Sequence, residues 1–160
     1  MTAQFKSNVM LEDDVQSDLV ARLNRALAES TDLYLKTKQA HWNVRGAFFF
    51  ARHELFDKLA ENRLEEQDMI AERVGTLGGY AAGSLQWSAQ QTTLQEYGRD
   101  VVSGEAHIRA LVDAYTDACG KLRDDVKAAG PVDPVTEDLL IEVLRRAELD
   151  LWFLQSHLTG

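Results

Sequence analysis

The stretch HELFDKLAENRLEEQDMIAERVGTLGG, residues 53–79, reads as the greater part of one long helix that ends at a glycine pair. Phe56, Leu59, Ala60, Ile70, Val74 and Leu77, with Phe49 just upstream, recur at the spacing of an apolar helix face. The spacing predicts a helix from about Phe48 to Leu77, stopped by Gly78 and Gly79. A second face carries four side chains of metal-ligand type, His53, Asp57, Asp68 and Glu72. They are laid out with mirror symmetry: His53 answers Glu72 and Asp57 answers Asp68 about a midpoint between Asn62 and Arg63.

At about 100° per residue the four ligands fall within an arc of about 100°. At about 1.5 Å of rise per residue, Asp57 and Asp68 are nevertheless about 16 Å apart along the axis. Bonds from imidazole or carboxylate to iron or zinc are close to 2 Å, so one ion cannot bridge both pairs of one helix. A two-fold axis near residues 62–63 removes the difficulty. It sets a second copy antiparallel, His53 opposite Glu72 and Asp57 opposite Asp68, and creates two identical sites about 22 Å apart. The competing reading of such carboxylates is an ordinary solvated helix face.

Working outward, Val15, Leu19, Leu23, Ala26, Leu27, Leu33, Tyr34 and Thr37 give an amphipathic helix over residues 15–41, with Asp13 or Asp14 as its cap. His41 ends that helix. The turn signal Asn43–Gly46 folds the next helix back, so His41 comes close to His53, with Asp57 one turn beyond. Imidazole with carboxylates suits iron or zinc, and open positions on iron allow redox chemistry. The bundle di-iron motif Glu-x-x-His is missing, because Lys38, Phe50, Gly104 and Leu154 stand three residues before the four histidines. A shared site therefore gains over a centre inside one bundle.

Residues 78–100 are rich in Gly, Ser, Gln and Thr and form a long connection with room for a short helix near Thr93–Tyr97. A further helix is expected over Val101–Ala128, with Ile108, Leu111, Val112, Tyr115, Ala118, Cys119, Leu122 and Val126 inside. The break Gly130–Pro134 follows, with Asp133 as N-cap and Pro134 as first residue of a last helix to about Leu158. Its buried side holds Leu139, Leu140, Val143, Leu144, Ala147, Leu151 and Leu154. The expected fold is all-α: a four-helix bundle over residues 15–158 with one long crossover, preceded by a short tail, residues 1–14.

A chain of 160 residues fits a single domain that buries about 70% of its unfolded surface. Its one cysteine, Cys119, excludes an internal disulfide and is expected as a small buried hydrophobe. No signal segment and no membrane-length apolar run is visible, so a cytoplasmic location is expected. The net charge of −9 disfavours general nucleic-acid binding and suits a protein that attracts cations.

The segments KQAHWNVRG (38–46), HELFDKLAE (53–61), DMIAERVGTLGG (68–79) and DLWFLQSHL (150–158) resemble the Dps family, the mini-ferritins named as DNA-binding proteins from starved cells. The resemblance covers about residues 15–158 and implies a ferritin-like bundle with a short helix in the crossover, assembled into a hollow homo-dodecamer. It implies iron as the metal, bound by His41, His53 and Asp57 of one subunit and Asp68 and Glu72 of its neighbour. It also implies oxidation of Fe(II) by hydrogen peroxide or dioxygen, and storage of ferric mineral. Trp42, next to His41, either seals the site and the dimer interface or, as suggested for similar positions in the family, donates electrons. Asp133, Glu137, Asp138 and Glu142 either form an acidic first turn or, by the resemblance, line a three-fold pore that admits Fe(II). Trp152 is expected in the core, and no role is assigned to His107 or His157.

Two departures stand out. Ala47 occupies a place where relatives often have Pro, and the run Phe48–Phe50 that follows it alters packing beside the site. The tail carries only Lys6 against Glu12, Asp13 and Asp14, where DNA-binding relatives carry several basic residues. DNA binding is thus expected to be weak or absent at neutral pH. The rival readings are a nucleoid-compacting DNA-binding protein with little iron turnover and a structural assembly holding zinc or nothing.

Overall fold

The structure, a computed structural model, describes residues 5–158. The first four residues of the expected tail lie outside the described residues. Five helices follow in order: α1 (Asp13–Asn43), α2 (Phe49–Thr76), α3 (Leu85–Gln91), α4 (Gly104–Ala129) and α5 (Pro134–Gln155). Helices α1 and α2 form one hairpin and α4 and α5 another, while α1 also packs on α4 and α2 on α5. The short α3 lies along α1. Because the crossover returns Ser103 to a β-bridge with Arg45, α4 starts at the end of the bundle where α2 starts. Among the described residues no helix is long and apolar enough to cross a membrane.

The bundle has two apolar halves. Leu19, Leu23, Leu27, Ile70, Val74, Leu122 and Leu140 fill one, and Leu33, Phe56, Leu59, Ile108, Leu111 and Leu154 fill the other. Each such side chain contributes roughly 1.5–3 kcal/mol on burial. Cys119 is buried in the first half. Between the halves lies a charged layer. Arg63 Nη2 is 2.5 Å from Glu66 Oε1 and 2.9 Å from Asp150 Oδ2, and its guanidinium lies over the Tyr115 ring.

The helix ends carry most of the local corrections. The crossover helix is Leu85–Gln91, not Thr93–Tyr97, because Ser84 caps it by accepting the Trp87 N–H. Neither Asp13 nor Asp14 caps α1: Glu12 takes the N-cap position without a side-chain bond, and both aspartates sit in the first turn. Helix α4 begins only at Gly104, where Ser103 accepts the Ala106 N–H. Asp133 does cap α5, accepting from the Val135 and Thr136 amides. Gly78 closes α2 at φ 76°, and a Cβ there would stand 2.5 Å from Phe5 O. That close approach pins the N-terminal segment, with Phe5 N–H donating to Gly78 O and Ser7 Oγ to Thr76 O. Trp152, expected in the core, is 59% exposed, and Phe49 is also exposed. Both lie off the inner faces that Leu154 and Phe56 define.

Candidate metal centre

His41 in the last turn of α1 and His53 in the first turns of α2 stack face to face, with ring centroids 3.7 Å apart and planes at 22°. The α1–α2 turn makes this possible through Gly46 at φ 92° and Phe48 at φ 60°. A phenylalanine in the left-handed region costs about 1–3 kcal/mol, which the surrounding turn has to offset.

The two histidines hold each other by their backbones. His41 Nδ1 lies 2.9 Å from His53 O, and His53 Nδ1 lies 3.0 Å from His41 O. A carbonyl oxygen only accepts, so each Nδ1 carries the hydrogen and donates it. In a neutral ring so held, Nε2 carries the lone pair through which imidazole ligates a metal. Asp57, one turn from His53, is partly exposed, and its Oδ1 is 3.8 Å from His41 Nδ1. Lys38 Nζ lies 2.5 Å from the same oxygen. That hydrogen bond and the lysine charge hold the Asp57 carboxyl below its ordinary range, so it is ionised near neutral pH.

His41, His53 and Asp57 therefore meet at one end of the bundle. Asp68 and Glu72 do not join them: both are exposed on the far half of α2. Among the described residues, no three His, Cys, Asp or Glu side chains of one chain are arranged to hold a metal ion. Leu64 lies midway along the same face and is 48% exposed. Trp42 is exposed beside the site, with Lys38 Nζ 6.0 Å from its ring centroid.

The acidic cluster on α5 divides. Asp133 is buried, capping α5 and pairing with Arg73 Nη2 at 2.6 Å. Burial alone would raise its carboxyl, but the Thr136 hydroxyl and the Arg73 guanidinium outweigh it and hold the group below its ordinary range. Glu142 pairs with Arg146 at 2.6 Å. Asp138 is exposed and Glu137 half-buried.

The ferritin-like domain model matches residues 20–160. The chain is 40% identical over 150 residues to the DNA protection during starvation protein of Agrobacterium fabrum, covering 92% of this chain and 91% of that one. The chain belongs to the Dps family of ferritin-like proteins. Among solved structures of the family, DpsA14 from Streptomyces coelicolor superposes with a TM-score of 0.94 at 34% identity, over 100% of this chain and 96% of that one. Dps from Microbacterium arborescens, in its high iron form, superposes with a TM-score of 0.87 at 29% identity, over 93% of this chain and 97% of that one.

Several residues that shape the site escaped sequence reading. Lys38 was visible only as the residue before the histidine turn, and nothing in its spacing marks it as the partner of Asp57. His107, the fourth residue of α4, is fully buried with its Nδ1 2.7 Å from the Tyr97 hydroxyl. Its signal is the Val101–Ser103 return to the α1–α2 turn, which only the fold reveals.

Proposed function

We propose that this Dps-family chain binds Fe(II) between two-fold related copies, oxidises it with hydrogen peroxide or dioxygen, and stores the ferric product. The observation that carries the reading is the divided ligand set. One end of α2 presents two imidazoles whose Nδ1 atoms face backbone carbonyls and an ionised Asp57, and the other end presents the exposed Asp68 and Glu72, while no group of three possible ligands gathers in one chain among the described residues. An antiparallel second copy completes both halves at once, with the exposed Leu64 of each chain meeting at the axis. The high iron form of the Microbacterium relative supports iron as the metal.

In this reading Fe(II) displaces the Lys38 ammonium from Asp57 and is held mainly by His41, Asp57 and the neighbouring copy's Glu72. His53 and the neighbouring Asp68 serve a second, weaker ion or act through water. Two Fe(II) ions give one electron each to peroxide. Its O–O bond breaks and it leaves as water after taking up two protons. The ferric product passes to an acidic interior. The shell is a homo-dodecamer, as the family resemblance implies. Glu137 and Asp138 are the acidic residues left to line a pore, since Asp133 and Glu142 are engaged by Arg73 and Arg146.

The test is stopped-flow oxidation of anaerobically loaded Fe(II) by peroxide or dioxygen. Wild type is compared with a variant carrying His41→Gly and His53→Gly. Fast oxidation in wild type alone, with assembly intact in both, is expected, and the ratio of the two wild-type rates names the oxidant. Equal slow rates would reduce the cluster to a structural interface or a zinc site. A name for DNA protection does not require contact with DNA, because removing iron and peroxide together protects it at a distance. Gel-shift titration against salt separates the two, and binding that survives moderate salt would argue for direct contact.

A further inference from the structure

We infer that one water molecule is bound permanently at the centre of the bundle, where it joins Arg63 and Glu66 of α2 to Glu29 and Ser30 of α1. This site lies in the charged layer between the two apolar halves, and it stands or falls independently of the metal reading above.

Two atoms of that layer lack a partner. Arg63 Nε and Glu66 Oε2 are buried, and neither has a hydrogen-bond partner among the described residues. Their side chains are otherwise firmly held. Arg63 Nη2 is shared between Glu66 Oε1 and Asp150 Oδ2, and the guanidinium lies 5.3 Å from the centroid of the Tyr115 ring. Arg63 is 1% exposed and Glu66 0%, so neither orphaned atom reaches bulk solvent. An unpaired buried donor or carboxyl oxygen loses its hydration without return, and native interiors rarely leave two of them side by side.

The space for a partner is present. Arg63 and Glu66 line a cavity of about 10 Å³ together with Glu29 and Ser30, against an apolar wall of Leu33, Ile70, Leu122 and Val143. All four long helices contribute to it. That volume is about the least that admits a water, and it admits nothing larger. A buried water needs two to four polar partners. The Arg63 Nε–H donates to it. Burial pushes the Glu66 carboxyl up to about 8, so near neutral pH it holds a proton. Because Oε1 accepts from Arg63, that proton sits on Oε2 and is donated to the water as well. Ser30 Oγ and the Glu29 carboxyl are the acceptors on the wall for the water's own hydrogens. Ser30 Oγ has only a long contact, 3.5 Å, to Arg63 O. A divalent cation suits the cavity poorly, since it takes about six oxygen ligands and would stand beside a guanidinium.

The water closes a gap between two networks. On one side Arg25 pairs with both Glu29 and Asp125, which ties α1 to α4. On the other side Asp150 accepts from Arg63 and Asn62, which ties α5 to α2. With the water in place, a single hydrogen-bonded chain crosses the bundle from the α1–α4 pair to the α2–α5 pair.

The experiment is a crystal structure of the assembled wild-type protein at a resolution that shows single waters, paired with magnetic relaxation dispersion of water in solution. A spherical density about 3 Å from both Arg63 Nε and Glu66 Oε2 is expected. Relaxation dispersion should count one long-lived water fewer per chain in Glu66→Met, which has no polar atom to offer. The count should be unchanged in Glu66→Gln, whose amide gives Arg63 the same acceptor and the water the same kind of donor. The wild-type crystal needs no variant and decides the matter even if a substitution disturbs folding. An empty cavity, or side chains shifted so that Arg63 Nε meets Glu66 Oε2 directly, would overturn the assignment. So would equal water counts in wild type and a folded Glu66→Met, or contacts shorter than about 2.5 Å to the bound atom, which mark a metal cation.

Discussion

Lys38 Nζ sits 2.5 Å from Asp57 Oδ1, so a proposed iron ligand already holds a cation. The lysine lowers the Asp57 pKa but competes with a metal for the same oxygen. Near neutral pH an ordinary carboxylate is ionised without help, so competition is the larger effect. Replacing Lys38 with Gln should tighten Co(II) binding several-fold, in keeping with about 1 kcal/mol for a partly exposed ion pair. A titration followed by the visible Co(II) bands checks this. Unchanged or weaker binding would show that Lys38 is not displaced.

We assign Asp133 to helix capping rather than to ion passage. It accepts two α5 amides and pairs with Arg73. Asp133→Ala should lower stability by about 1–3 kcal/mol, through loss of the cap and of a buried partner for arginine. For a domain of this size that is several degrees of Tm, at about 2–4 °C per kcal/mol. Paired Glu137→Gln and Asp138→Asn changes should instead slow iron uptake with Tm unchanged. Calorimetry and uptake kinetics on both variants separate the roles. A stable Asp133→Ala protein with slowed uptake would reverse the assignment.

The charged layer at the bundle centre makes stability depend on pH. Arg63 is one cation facing two buried carboxylates, Glu66 and Asp150. Burial pushes Glu66 from 4.5 up to about 8, against the pull of Arg63. The native chain then holds a proton that the unfolded chain has released. The stability this provides is complete below pH 4.5 and is lost as pH rises toward 8. With metal chelated, wild type should lose up to about 1.4 kcal/mol per pH unit across that window relative to Glu66→Gln. Denaturant unfolding at several pH values measures the difference, and parallel curves would mean that Glu66 is ionised in the native state.

The helix pattern was readable because α1, α2, α4 and α5 each bury one apolar stripe, and Asp133–Pro134 and Gly78–Gly79 punctuate their ends. The crossover was not, since Leu85, Trp87 and Ala89 are too few to show a period and the decisive signal is a single Ser84 cap. Arg63, Glu66 and Asp150 look like solvent-facing charges in sequence, and only three helices converging on one layer turn them inward. The stack of His41 on His53 follows from the short turn between them. The hydrogen bonds that fix both imidazoles run to backbone carbonyls, which no side-chain pattern encodes.

Complementation between two crippled chains tests the shared site most directly. One chain carries His41→Gly and His53→Gly, the other Asp68→Asn and Glu72→Gln, and each alone should oxidise Fe(II) slowly. A mixed pair rebuilds one complete site from the His-bearing half of one chain and the carboxylates of the other. Random pairing on co-expression should restore about a quarter of the wild-type sites, one of two in half of the dimers. Recovery of fast oxidation near that level is the expected result, and a co-expressed protein no faster than its two parents would contradict a site divided between copies.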